Sequence, residues 1–424
     1  MPVEMIRIAP GAQGCFIKND RFNTTLISYN FYLPLDAENM AANALLPYML
    51  TSCSAEYRDY IDLNIKLLGL YGADLACSVS KCGDCLHVRL SIGVINNEYS
   101  FDDCKPVNEA AELMAGLIFD PAAEDGCFID SDLSREKRKT IERIQGEIND
   151  KKSYARTRLF EEMFGSDPYG KFIYGTAEEV EAIDGKRLYT ARQQLLQSAF
   201  IRVNVVGREL PDGIFDSISQ RLKEISRVNI TDVTACRMLP EKNTPTYVTQ
   251  RFDVTQGKLV MGFTAGVYGS LAKTAPMALL ADIFGGGPYS KLFTNVREKE
   301  SLCYYCSATY RRGKGFMTVD SGIEGANADK VVTAVLKELE DIRQGNFTND
   351  LVSASKKAIS DALLGYYDSP HALNAWFSRE LNDNLSPEEA VKIISSVTRE
   401  DIIEAAKGVR LHTVYRLLPL EGEE

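Results

Sequence analysis

Histidine is scarce in this chain. Among 424 residues there are three, His87, His371 and His412, and no two stand four positions apart. A zinc motif of the H-E-x-x-H or H-x-x-E-H kind sets two imidazoles on one helix face, so no such motif can be written from these three. Each histidine therefore reads as a structural or surface side chain, and His371, directly after Pro370, suits a turn or a helix start. Long apolar runs are missing too. None approaches the ~18 residues of a membrane span, and the opening MPVEMIRIAPGAQG has no apolar stretch suited to secretion. Both absences favour a cytoplasmic protein, in which the ten cysteines are mostly free thiols or core side chains. A dense basic stripe is also lacking. With 48 Lys and Arg against 59 Asp and Glu, the net charge of −11 opposes a nucleic-acid backbone as the main partner. The basic run Arg135–Lys139 is followed by Glu142 and Glu147, the pattern of a solvated helix face.

What the chain does have is a long internal repeat. Residues 26–79 and 259–308 share one order of elements. Each opens on a β-like run, LISYNFYLPLD from Leu26 and LVMGFTAGVYG from Leu259. Each continues into an apolar helix, with Ala44-Leu45-Leu46 against Ala278-Leu279-Leu280. Each then has a second helical stretch entering a strand, where Cys77-Ser78 meets Cys306-Ser307. A repeat this long exceeds a solenoid unit and implies duplicated domains, and the chain length suits two domains of about 200 residues. The expected boundaries are 1–227 for the first domain, 228–250 for a Thr-, Pro- and Asn-rich linker, and 251–424 for the second. Helical spacing predicts helices near Asn108–Phe119, Asp132–Asp150, Tyr154–Phe164, Ala328–Arg343 and Asn349–Tyr366. Strands are expected near Asp84–Ile92, at FIRVNVVG from Phe200, and in the tail from Arg410. Mixed helices and hairpins in each half give an α+β class, with two homologous domains that each pack an antiparallel-rich sheet against helices.

Two Cys-x-x-Cys pairs stand out, Cys82/Cys85 and Cys303/Cys306. Four thiolates can hold a structural zinc, and one pair can be a redox couple. The plainer reading is a hairpin turn at Cys82-Gly83-Asp84-Cys85 and packed strand residues at Cys303 and Cys306. The repeat sets Cys77, not Cys82, opposite Cys306, so the pairs are not equivalent. Gly285-Gly286-Gly287-Pro288 lacks the spacing of a phosphate loop. Its glycines allow positive φ and close approach of another chain, which serves either peptide contact or a tight connection between helices.

The stretch GGGPYSKLFTNVREKESLCYYCSATY, Gly285–Tyr310, resembles the second-half signature of the pitrilysin/insulinase superfamily of metallopeptidases, and MFGSDPYGKFIYGT, Met163–Thr176, is similar to the loop after that family's long helix. The duplicated halves and their helix order extend the resemblance over most of the chain. The family places zinc in its first half on H-x-x-E-H, with a further Glu on the long helix. Aligned through Met49, that motif falls on Ala44, Leu45, Leu46, Pro47 and Tyr48. The third ligand position, counted from Glu136, falls on Arg143, beside Glu142. Alanine and proline have no donor side chain, and an arginine brings positive charge toward a dication. The resemblance therefore implies no metal in this chain. The second half matches the family's Arg/Tyr pair at Arg297 and Tyr304, with Ser301 where the family usually has Gly. A tyrosine hydroxyl can donate to the oxyanion of a tetrahedral intermediate, and a guanidinium can clamp a peptide carbonyl. The alternative for these residues is ordinary strand packing and an ion pair of Arg297 with Glu298 or Glu300.

Some members of the superfamily divide labour between two chains, one with the zinc motif and one with the Arg/Tyr pair. This chain resembles the second kind. The implied function is the non-zinc, substrate-binding subunit of a heterodimeric processing peptidase, with zinc in a homologous partner and an extended peptide held by Arg297, Tyr304 and Gly285, Gly286 and Gly287. The alternative is an inactive peptide-binding or scaffolding pseudoenzyme, as heterodimer or homodimer. A third reading has the two Cys-x-x-Cys pairs holding a metal of their own.

Overall fold

A computed structural model of the protein describes residues 3–101, 103–379, 381 and 383–420. It has two compact units. The first comprises Met1–Gln145, Phe172–Val233 and Tyr366–Asn384; the second comprises Gly146–Lys171, Thr234–Gly365 and Leu385–Glu424. The duplication read as 1–227 and 251–424 describes the order along the chain. In space, each unit also takes in one helical stretch from the other half.

The first unit is built on β1 (Val3–Ala9), β2 (Ala12–Lys18), β3 (Thr24–Pro34), β4 (Asp74–Cys82) and β5 (Cys85–Ile95), with a two-residue ladder of β6 (Ala123–Glu124) and β7 (Cys127–Phe128), and β8 (Phe200–Gly207). Its six-stranded sheet runs β1-β2-β8-β3-β5-β4. The β2–β8 pair is parallel and the others are antiparallel. The Cys82-Gly83-Asp84-Cys85 stretch is a hairpin turn, as its composition implies: Cys82 faces Cys85 across the ladder, and Gly83 has φ +58°, the left-handed region glycine tolerates.

Strand β3 is buried from Thr25 to Leu33 because both of its faces are covered. Ile27, Tyr29, Phe31 and Leu33 point one way, into an apolar core with Leu45, Leu46, Met49 and Met114 from the helices Met40–Leu50 and Pro106–Phe119. Ser28, Asn30 and Tyr32 alternate to the other face. That face meets the helix Pro370–Arg379. Ser28 Oγ donates to Asn374 Oδ1 at 2.6 Å, and Asn204 Nδ2 on β8 donates to the same oxygen at 2.8 Å and to Ser378 Oγ at 3.1 Å. Tyr32 Oη donates to the Ser378 carbonyl, and Arg202 Nη1 to the Phe377 carbonyl at 3.1 Å. His87 joins the network. Its ring stacks on Tyr32 with centroids 4.6 Å apart, and Nε2 lies 3.0 Å from Asn30 Oδ1.

The second unit repeats the plan with β9 (Thr246–Arg251), β10 (Gly257–Thr264), β11 (Cys303–Arg311), β12 (Phe316–Ile323) and β13 (Arg410–Leu418), ordered β11-β12-β10-β13-β9. Here β13–β9 is the parallel pair. The helix Lys151–Phe164 lies on this sheet, but its contacts are mostly apolar: Ala155 and Leu159 share a core with Val260, Tyr415 and Leu417. Gly262 admits Met163, whose sulfur would stand 2.5 Å from an added Cβ. Beside them, Arg156 grips the buried Asp320 carboxylate through Nε and Nη2 at 3.2 and 3.0 Å. Lys314, 1 % exposed, pairs with Asp167 at 3.1 Å.

Two sequence expectations are adjusted. Residues 246–250 of the expected linker are strand, because β13 needs a parallel neighbour to pair its outer edge. The long helix ends at Gln145 and tightens into a 3₁₀ turn over Gly146–Asn149, at the glycine the spacing passed over. The α+β class stands.

Replacing Asn374 by Ala leaves Ser28 and Asn204 buried without their shared acceptor, and denaturant unfolding is expected to show a loss of about 2–4 kcal/mol. Burial holds the His87 imidazole down at about 3, against an ordinary value of 6.5. Between those values the unfolded chain binds a proton that the folded chain does not, so His87 makes stability fall as pH drops below 6.5. From pH 7 to 5 the loss is expected to be ~2 kcal/mol, and replacing His87 by Gln is expected to flatten that slope in parallel unfolding curves.

Candidate functional site

The positions aligned with the family's zinc ligands lie together in the first unit. The helix Met40–Leu50 buries Ala44, Leu45 and Leu46 completely, and carries Pro47 inside it. A proline there cannot donate to the carbonyl four residues back. Tyr48 is half-buried, and its hydroxyl lies 3.0 Å from that of Tyr174. Burial pushes the Tyr48 phenol up, and the hydrogen bond with Tyr174 adds to the shift. The guanidinium of Arg143, at the end of the helix Asp130–Gln145, sits over both rings, 4.6 Å from the Tyr48 centroid and 5.0 Å from that of Tyr174. A fixed cation thus occupies the neighbourhood where a ligand carboxylate would be needed, and its stacking on two rings is itself favourable. Glu142 is exposed and lies 4.0 Å from Arg138. The nearest buried carboxylate on that helix, Glu136, accepts from Arg135 at 3.0 Å and Lys139 at 2.9 Å. The residues present do not fit a zinc ion: they offer a methyl, a pyrrolidine, a high-pKa phenol and a guanidinium.

Arg297 and Tyr304 lie in the second unit and line one open pocket of ≈ 350 Å³ with Glu298, Ser301, Cys303 and Glu324. Arg297 is carried on a π-helix, Leu292–Lys299. Such wide helices are rare and are found most often at functional sites. Its start is anchored by the buried Glu338, which accepts from Lys291 at 2.9 Å and from Asn295 Nδ2 at 2.8 Å. The Arg297 guanidinium stacks over Phe293 at 4.5 Å and pairs with Glu298 at 3.4 Å. Tyr304 sits at a bulge in β11: Cys303 pairs with Ile323 and Tyr305 with Gly322, so Tyr304 is the extra residue. The bulge turns its ring outward, 54 % exposed, and its hydroxyl donates to Glu324 Oε1 at 3.4 Å. Tyr305 has the opposite fate and packs over Gly322, where a Cβ would stand 2.4 Å from its ring.

The glycine turn is shaped by close approach. None of Gly285, Gly286 and Gly287 has positive φ. Gly285 ends the helix Leu271–Gly285, and a side chain there would meet the Ala308 backbone nitrogen at 2.5 Å. Gly286 is closed off by Asp282, at 2.2 Å from an added Cβ. The turn thereby seats β11, and Tyr304 with it, against the helix. Ser301 carries the positive φ instead, +52°, which accounts physically for the glycine usual at this place in the family pattern.

The cysteine pairs fall in different units, Cys82 and Cys85 in the first, Cys303 and Cys306 in the second. Among the described residues no group of three or more His, Cys, Asp and Glu side chains is arranged to hold a metal ion. His412 is buried with Nδ1 2.8 Å from Thr413 Oγ1, and His371 is exposed in the first turn of its helix. Sequence reasoning missed Tyr174, Glu324 and Phe293. Tyr174 lies inside Met163–Thr176, so a hint was available; nothing in the spacing singled out Glu324 or Phe293.

Each of the two α+β units packs an antiparallel-rich sheet against helices, the plan that the pitrilysin/insulinase resemblance implies. Residues 182–359 match the peptidase M16 inactive domain. Over 414 residues the chain is 28% identical to the probable inactive metalloprotease YmfF of Bacillus subtilis (strain 168), covering 97% of each. Its fold is similar to a conserved protein from Enterococcus faecalis V583, with TM-score 0.89, 26% identity and 99% of each chain covered. It is similar also to a peptidase M16 inactive domain from Pseudomonas fluorescens, with TM-score 0.80, 17% identity and 100% of each covered. Residues 182–359 thus match a peptidase M16 domain model, and the chain as a whole is similar in sequence and fold to M16-type proteins.

A left-handed serine costs about 1–2 kcal/mol in backbone strain, of which glycine's greater unfolded freedom cancels about half. Replacing Ser301 by Gly is therefore expected to leave the melting temperature unchanged or raise it, a result opposite in sign to glycine in a helix interior.

Proposed function

We propose that this chain is the non-zinc, substrate-binding subunit of a heterodimeric M16 metallopeptidase. A homologous partner supplies the zinc; this chain supplies Arg297 and Tyr304 to an extended peptide, with Gly285–Gly287 holding the strand that carries Tyr304. The observation that carries the reading is the convergence of Arg297 and Tyr304 on one open pocket, in a chain whose metal positions hold Ala44, Pro47, Tyr48 and Arg143. Both side chains rest on weak, exposed partners, Glu298 and Glu324. Exposed pairs of this kind are worth ~0–1 kcal/mol, so a peptide displaces them at little cost. Tyr304 then has a donor for a developing oxyanion, and Arg297 a fork for a carbonyl or a carboxylate. Main-chain pairing at a sheet edge, where β11 is exposed, suits a partner recognised with little sequence demand.

The test mixes this chain with a homologue bearing an intact H-x-x-E-H. Alone, the chain is expected to cleave no peptide and, purified without chelator, to carry well under one zinc per molecule. The mixture is expected to cleave, and Tyr304→Phe to lower its turnover by roughly 10²-fold. If Arg297→Ala and Tyr304→Phe leave the partner's turnover untouched, the scaffolding pseudoenzyme is the correct reading.

A further inference from the structure

The helix Tyr60–Gly69, in the first unit, is apolar on two sides. Of its residues only Leu63 is buried. Tyr60, Ile61, Ile65 and Leu68 are 57, 67, 61 and 72 % exposed. Ile61, Ile65 and Leu68 stand at i, i+4 and i+7, so they form one stripe along the outer face. Exposed apolar residues scattered singly are ordinary; three in register on one helix are not. The helix is also firmly held. Asp59 caps it by accepting from the amides of Ile61 and Asp62 at 2.8 and 2.9 Å, and Lys66 ties it to Glu109 on the helix Pro106–Phe119 at 2.6 Å. Phe101, 92 % exposed, extends the apolar surface at the C-terminal end: its amide donates to Tyr71 Oη at 2.9 Å, and the two rings lie 6.1 Å apart.

The size of this face sets its use. At those exposures the stripe, Tyr60 and Phe101 present on the order of 600 Å² of apolar surface. The largest apolar patch of a typical monomer is about 300–600 Å². A standard protein interface buries about 800 Å² a side, of which about 56–65 % is apolar, or roughly 450–520 Å². The face therefore supplies the full apolar complement of one side of a stable dimer.

We propose that this stripe is the contact face of a homodimer, in which the helix Tyr60–Gly69 packs antiparallel against its copy about a twofold axis at Ile65. Under that symmetry Ile65 meets Ile65, and Ile61 of each copy meets Leu68 of the other, so each apolar side chain of the stripe is answered by another. The charges agree. Arg58, exposed just before the helix, comes level with residues 72–74 of the second copy. There the chain turns back at once, with Gly72 and Ala73 donating to the Leu67 carbonyl at 3.1 and 3.0 Å, which keeps the exposed Asp74 at the helix's C-terminal end. That end also carries the negative pole of the helix. One attractive contact arises at each end of the pair. Like charges stay apart: Asp62 lies ~9 Å along the axis from its copy, Asp59 is spent as the cap and Lys66 on Glu109. A different chain would have to match both the stripe and the charges at its ends, whereas a second copy carries both.

The pocket of Arg297 and Tyr304 belongs to the second unit, so this contact is independent of the subunit role proposed above. The full chain is followed by sedimentation equilibrium and light scattering over roughly 1–100 μM, and is expected to show twice the mass of one chain. Ile65→Lys sets two ammonium groups against each other on the axis. It is expected to raise the dissociation constant at least about 10²-fold and leave monomer. Val228→Lys, at an exposed apolar residue of another segment, is expected to leave the dimer intact. Arg58→Glu is expected to weaken the dimer about tenfold, and Arg58→Glu with Asp74→Lys to recover most of that loss. Circular dichroism and melting curves check that each variant is folded. A chain monomeric throughout the range overturns the proposal, including one that gains mass only with a zinc-bearing homologue, which would give the face to that other chain. A dimer that survives folded Ile65→Lys, or is lost equally in Val228→Lys, overturns it too. Should Ile65→Lys fail to fold, the charge exchange decides: no recovery in the double variant refutes the antiparallel pairing.

Discussion

The first unit depends on a buried polar seam. β3 and β8 turn Ser28, Asn30 and Asn204 toward a buried face, and the donors and acceptors they expose there must be answered. Asn374 and Ser378, one helical turn apart on Pro370–Arg379, answer the Ser28 hydroxyl, the Asn204 amide N–H and the Asn30 amide oxygen. A purely apolar helix would leave the amides and hydroxyl orphaned, at ~1–3 kcal/mol each. This explains why a helix encoded late in the chain belongs to the unit encoded first. The second unit meets the same architectural need differently: Gly262 opens room for Met163, and a polar tie, Arg156 to Asp320, stands beside an apolar contact. Two homologous sheets thus receive their covering helices through unlike chemistry, which makes each helix specific to its own sheet.

The same economy of exchange governs the metal positions. Arg143 does not merely fail to coordinate; it is held in place by the faces of Tyr48 and Tyr174, and the two phenols are held to each other. What remains is a stacked cluster at the surface, with Arg143 exposed and the two tyrosines half-buried. In the second unit a π-helix, a bulged strand and a left-handed serine occur within thirteen residues of one another, from Leu292 to Tyr304. Three departures from regular backbone in so short a stretch are locally unfavourable, and such clustering is characteristic of segments shaped for contact with something else.

Much of this was legible in the sequence. The β-like run LISYNFYLP announced β3, and the repeat announced two units of one plan. The hairpin at Gly83-Asp84 could be read from its turn residues. Other features could not. The period of two in β3 says that Ser28 and Asn30 share a face, but not that a helix some 340 residues later covers it; pairing across such a separation leaves no local pattern. The strand Thr246–Arg251 was hidden because a polar, Thr-rich edge strand looks like a linker. The three glycines were read as allowing positive φ and close approach; they serve close approach, and the backbone takes the positive φ at Ser301, a residue whose identity argues against it. That Cys303 and Cys306 share a face escaped for a related reason: strand periodicity sets them on opposite faces, and the bulge at Tyr304 reverses that.

Pro47 has a consequence for descent. A tyrosine can become a histidine by a single change, yet here that change would place an imidazole beside a guanidinium, on a helix where the residue due to serve as base has no side-chain oxygen and no amide hydrogen. Regaining a metal requires Ala44, Pro47, Tyr48 and Arg143 all to be replaced, and each step taken alone weakens the cluster without conferring any affinity. With Pro47 inside that helix, a metal site at these positions therefore has no graded path of acquisition.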